Sequence, residues 1–179
     1  MTRDWSKLDE LILYISERCA GDPLFGKTKL NKLLFYADFL AYLRLGRTIT
    51  GEEYVKQPFG PVPCHLDKRL KRMAGKDLEV VERTFHGRKQ HRVVPKREAQ
   101  LELFSAPEIS VVAEVLAQFD GFSGSDVSDL SHRFLGWRVA AIGEPIPLEV
   151  ALCSPGAVTQ EKVEVAEELL GLAGTVRAS

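Results

Sequence analysis

The sequence predicts a mainly helical α+β fold carrying a small antiparallel β-hairpin or three-stranded sheet. Apolar residues recur at three-to-four spacing towards both ends of the chain, the signature of amphipathic helices. Runs of β-branched and aromatic residues with partial alternation are confined to the middle, between about residues 52 and 96. Glycine and proline punctuate the boundaries. The 179 residues, 45% hydrophobic and 27% charged, fit one compact domain over 1–179 with an ordinary core.

A first helix is predicted from about Trp5 to Cys19, with Leu8, Leu11, Ile12, Ile15 and Cys19 on one face; Gly21 and Pro23 end it. The second, "KTKLNKLLFYADFLAYLRLG", is apolar around much of its circumference and closes at Gly46. Leu30, Leu33, Leu34, Ala37, Leu40 and Ala41 make its broad stripe, and Phe35, Phe39 and Tyr42 an aromatic strip. Such a helix is central to a core. Asn31 and Asp38, close to that strip, then need polar partners. A short strand is expected near Glu52 to Gln57, able to join a later hairpin as its third strand. "YVKQPFGPVPCHL" reads as a rigid corner, with Phe59 at the bend and Pro61 or Pro63 in the first turn of a third helix.

That helix, "CHLDKRLKRMAG", points Leu66, Leu70 and Met73 inward and Lys68, Arg69, Lys71 and Arg72 to water. "DLEVVERTF" and "QHRVVPK" form a hairpin turning at "HGRK". Helices follow over "APEISVVAEVLAQFDG" and "GSDVSDLSHRF", the latter capped by Ser123 or Ser125. "GWRVAAIGEPIPLEVALCSPG" is broken by glycine and proline and predicts short turns over the surface. "AVTQEKVEVAEELLGLAG" predicts a last amphipathic helix with an acidic outer face.

The net charge of −1 hides an asymmetry. His65 to Arg97 carry 11 Lys or Arg against 4 Asp or Glu, whereas Glu98 to the end carry 4 against 13. A charged docking face, internal complementarity, or both follow from that separation. No apolar run is long enough to span a bilayer, and the charged amphipathic N-terminus lacks a signal-peptide core, so a cytoplasmic protein without membrane contact is expected.

Catalytic chemistry finds little footing. The adjacent pairs Glu52–Glu53 and Glu167–Glu168 point apart on a helix or strand and read as solvated charge. Cys19, Cys64 and Cys153 are odd in number and widely spaced, a poor disulfide framework. His65, His86, His91 and His132 do not match common zinc spacings with Cys64. "FGKTKL" echoes a phosphate loop but follows a helix and lacks the first glycine. No catalytic residue, cofactor or metal is expected. A hydrolase using Cys64 would need a base that nothing nominates. The basic 65–97 segment leaves open a winged-helix-like DNA-binding regulator, although the isoelectric point near 6.4 argues against it.

The stretch "KLNKLLFYADFLAYLRLGRTITGEEYVKQPFGPVPCHL" resembles the Panacea domain of the SocA-like antitoxin family. The resemblance runs through Lys29-Leu30, Lys32-Leu33-Leu34, Tyr36-Ala37, Gly46, Ile49, Tyr54 and the turn Gly60-Pro61-Val62. A second block, "SDLSHRFLGWRVAAIGEPIPLE", matches at Leu130-Ser131-His132, Trp137 and Gly143-Glu144-Pro145-Ile146-Pro147. Together they cover about residues 8 to 150. The resemblance implies a non-enzymatic antitoxin that neutralises a cognate toxin encoded nearby by direct protein–protein contact. It also implies a proteolytic-adaptor role toward a ClpXP-type protease. Family members often bear an extra DNA-binding segment, for which this chain has no spare residues. Interfaces favour aromatic residues and arginine. On that ground Phe35, Phe39, Tyr42, Phe59, Arg69, Arg72, Arg88 and Trp137 are the candidate partner contacts.

Overall fold

A computed structural model describes residues 3–85 and 87–153, without the side chains of Arg88 and residues 151–153. The last amphipathic helix expected from the sequence lies outside the described residues. Helix α1 spans Trp5–Arg18; the Asp4 carboxylate accepts from the Ser6 and Lys7 N–H groups at its start. Helix α2, Lys27–Leu45, ends where Gly46 takes a left-handed φ of 69°. As expected from its all-round apolarity, α2 is the centre of the molecule. One side packs with α1 and α4 (Ala106–Gln118) around Leu11, Ile15, Leu30, Leu34 and Val112. Its Phe35–Phe39 side packs in a second cluster with Tyr54, Phe134, Leu135, Ile146 and Val150.

The fold is α+β as predicted, but its sheets are arranged differently. No three-stranded sheet forms among the described residues. The Tyr54–Gln57 strand (β1) pairs antiparallel with Gly60–Pro63 (β2), the stretch expected to be a corner. β3 (Leu78–Phe85) and β4 (Arg88–Pro95) pair only with each other. Strand alternation explains how a proline-rich segment can pair. Gly60 and Val62 face Gln57 and Val55, whereas Pro61 and Pro63 fall at the intervening positions, where the N–H would point away from β1. Pro61 and Pro63 therefore belong to β2, and α3 (Leu66–Met73) starts after them.

The open edge of β1 is covered by the 143–146 turn. Lys56 N donates to Glu144 O (2.9 Å), Gly143 N to Lys56 O (2.8 Å) and Ile146 N to Tyr54 O (2.7 Å). The segment expected as surface turns thus supplies core: α6 (Leu135–Val139) and the 3₁₀ turn Leu148–Cys153 bury Leu135, Ala140, Ile146 and Val150. Helix α5, Gly124–Ser131, is capped by Ser123, one of the two serines expected there.

Candidate functional site

The β1–β2 hairpin is gripped by side chains from helices on two sides. Lys32, buried on α2, donates from Nζ to the Pro61 carbonyl at 2.8 Å. Ser128 on α5 donates to the Phe59 carbonyl. The Trp137 indole N–H on α6 donates to the Gln57 carbonyl at 3.0 Å. Between these grips sits Gly60, with φ +96°; a Cβ there would lie 2.2 Å from Ser131 Oγ and 2.9 Å from Lys32 Cε. Only glycine fits, for reasons of both conformation and space.

The base of the hairpin is fixed by Asp38, fully buried on α2. Its carboxylate accepts from the Ile49 and Thr50 N–H groups (2.8 and 2.9 Å), from Tyr54 Oη (2.8 Å) and from Thr50 Oγ1. Burial pushes the Asp38 carboxyl up, against the pull of those donors. Leu34 O lies 2.9 Å from Tyr54 Oη as well, so the one phenolic proton is shared between the two acceptors. Asp38 thus has the partners the sequence demanded of it, whereas the buried Asn31 Oδ1 has none among the described residues.

Held in this way, the hairpin presents Phe59 at its tip, 75% exposed, the most exposed of the large hydrophobic residues among those described. The cost of fixing a loop has already been met in the free protein, which leaves a preorganised apolar knob. Beside the hairpin, Trp137 stacks on His132 (4.1 Å between ring centroids) and carries the Lys56 ammonium 4.4 Å from its own.

The other candidates fall in different places. Phe35 and Phe39 are core residues and stack on each other, so they give α2 its inward packing rather than an accessible face. Tyr42 is half-buried against the second cluster. Arg69 is buried and paired with Asp9, while its guanidinium lies 5.0 Å from the Trp5 ring centroid. Arg72 is exposed. The side chain of Arg88 lies outside what the structure describes.

Sequence reasoning missed the gripping residues Lys32 and Ser128, and Ser131, whose hydroxyl lies against Gly60. Lys32 carried a signal: a lysine one residue before Leu33-Leu34 on a helix otherwise apolar all round. Burial without a carboxylate lowers its ammonium to about 8.

For catalysis the nearest arrangement is Glu52–His65. Glu52 Oε1 lies 3.0 Å from His65 Nδ1, and the buried Oε2 has no hydrogen-bond partner among the described residues. No group of three or more His, Cys, Asp or Glu suited to a metal ion occurs among the described residues. Nor is any described helix long and apolar enough to cross a membrane.

The site thus combines a central helix with a hairpin held at three carbonyls and an exposed aromatic tip. The antitoxin SocA-like, Panacea domain family model matches residues 30–138, which span α2 through α6, and the chain belongs to this family. No curated protein matches the chain significantly.

Proposed function

We propose that the protein is an antitoxin that binds and silences a cognate protein toxin, using the β1–β2 tip as a principal contact. The observation carrying this reading is Phe59, exposed on a hairpin whose Gln57, Phe59 and Pro61 carbonyls are each held by a side chain from a helix. Rigid aromatic anchors dominate binding energy because they bury much area with little ordering cost. Membership of the antitoxin family supplies the class of partner. In this reading Trp137 and Arg72 are secondary contacts, and Arg69 acts by holding Trp5.

Co-expression with the product of the adjacent open reading frame tests the reading. The wild type restores growth and co-purifies with the toxin; Phe59→Ala weakens the complex by about 2 kcal/mol, roughly thirtyfold in affinity, without loss of fold. Undiminished toxicity, with both proteins soluble and no complex on a sizing column, overturns it. A proteolytic-adaptor role adds a second partner of ClpXP type. It requires the toxin's half-life to lengthen when that protease is deleted.

A further inference from the structure

The outer face of α3 carries Lys68, Lys71 and Arg72, with Lys76 just beyond it, all exposed. No ion pair or side-chain hydrogen bond engages them among the described residues, and the one acid on the helix, Asp67, is taken by Lys27 Nζ at 2.5 Å. Helix physics does not account for this placement. Lys71 and Arg72, in the last turn, suit the negative end of the helix dipole, but Lys68 lies in the first turn and opposes its positive end. Lys68 and Arg72 are also four apart, a like-charge spacing that costs a few tenths of a kcal/mol.

Bordering this strip, Trp5 is 37% exposed and held in one orientation. The guanidinium carbons of Arg3 and Arg69 lie 4.9 and 5.0 Å from its ring centroid. The His65 ring packs edge-on against it at 5.1 Å. Arg69 is in turn fixed by Asp9, Arg69 Nε donating to Asp9 Oδ1 at 2.6 Å.

We infer that α3 and Trp5 form a second docking face, fitted to an acidic segment of a protein partner. Carboxylates of that segment pair with Lys68, Arg72 and Lys76, and an apolar side chain rests on the exposed part of Trp5. Desolvating unpaired cations beside a fixed aromatic favours an oppositely charged partner, and the charge speeds the encounter. Duplex DNA fits less well. In the helix-then-hairpin order of a winged helix the β3–β4 hairpin would offer its cations to phosphates, yet here Lys89 is already paired with Glu82 and Lys96, just past the hairpin, with Glu79.

The face lies at the base of the hairpin whose tip carries Phe59, because β2 runs directly into Cys64 and His65. A four-residue strand puts the two roughly 15 Å apart. If the partner is the toxin, as the antitoxin reading holds, one interface can span both.

The experiment uses the full chain with two probes, a short fluorescent peptide of glutamate and leucine and the co-expressed toxin, with a short DNA duplex as competitor. The wild type binds the peptide at low salt, less tightly as salt rises. Lys68→Glu/Arg72→Glu weakens both peptide and toxin binding about tenfold or more. Lys68→Gln/Arg72→Gln, with an unchanged melting temperature, gives an intermediate loss and separates binding from folding. The inference is overturned if the wild type does not bind the peptide, if the reversed-charge variant binds it as the wild type does, or if DNA displaces it as the tighter ligand. Toxin captured equally by both chains removes α3 from that interface but keeps the antitoxin reading. Peptide binding without toxin capture by the wild type sinks the antitoxin reading and leaves an acidic-partner face standing.

Discussion

The two hairpins of this molecule are built from opposite materials and held in opposite ways. β1–β2 has four-residue strands, includes Pro61 and Pro63, and is gripped by α2, α5 and α6. β3–β4 has eight-residue strands of better intrinsic propensity, yet β3 lies largely exposed. Its main anchor is Arg92 on β4. That buried guanidinium donates to the carbonyls of Cys19, Ala20, Asp22 and Phe25, tying the strand to the end of α1 and the loop into α2. Strand propensity therefore does not decide how a hairpin is held: the short one is bonded through its backbone by side chains of the body, the long one reaches the body through its own arginine.

The largest expected effect falls on the short hairpin. Asp38→Ala strands the N–H groups of Ile49 and Thr50 and the Thr50 hydroxyl in a buried site, and destabilises the protein by about 4 kcal/mol in urea unfolding. A loss below about 1 kcal/mol would mean that the hairpin's base is held by packing alone. Next comes the long hairpin. Arg92→Met removes a side-chain donor from four carbonyls, of which Cys19 O and Asp22 O still accept from Asp22 N and Phe25 N, and costs about 3 kcal/mol, with hydrogen-exchange protection lost first in β3 and β4. Toxin affinity should hardly change. A loss matching that of Phe59→Ala would erase the functional distinction between the two hairpins.

The smallest effect depends on pH. Lys32 has a folded-state value near 8 against 10.5 for the free side chain, so above pH 8 the folded state binds fewer protons than the unfolded one. Stability from this group therefore rises with pH across that window. Titrations of Cys19 and the tyrosines run in wild type and variant alike and cancel in the difference. The stability of Lys32→Met relative to wild type should fall by about 2 kcal/mol between about pH 7.5 and pH 9.5. A pH-independent difference would place the Lys32 ammonium in contact with water.

Much of this was legible in the sequence, for identifiable reasons. The helices declare themselves because Leu8-Leu11-Ile12-Ile15 and Leu30-Leu33-Leu34 repeat with the helical period, and a helix apolar all round has to be central. Asp38 could be singled out as a polar group needing partners on that helix. β2 was hidden because prolines argue against a strand, and only the register shows that both fall where no N–H is needed. The second core cluster was hidden because Gly143, Pro145 and Pro147 look like surface punctuation, while Ile146 between them is buried. At the candidate site, Phe59 was picked out by its place in a bend. Phe35 and Phe39 have the same composition cue, but aromatic content alone does not separate a core from an interface. Lys32 reads as a solvent-facing charge until Gly60 is seen against it.

The three-way contact of Lys32, Gly60 and Ser131 also imposes an order on biosynthesis. Its members come from the first, middle and last parts of the described chain, so it closes only after the longest loop in the set has been formed. A nascent chain that has not yet released residue 131 from the ribosome lacks one jaw of the clamp, and its Phe59 hairpin has no fixed direction. On the proposed antitoxin reading, neutralising competence would be a late product of translation, and chains that stop short of α5 would consume synthesis without yielding a binder.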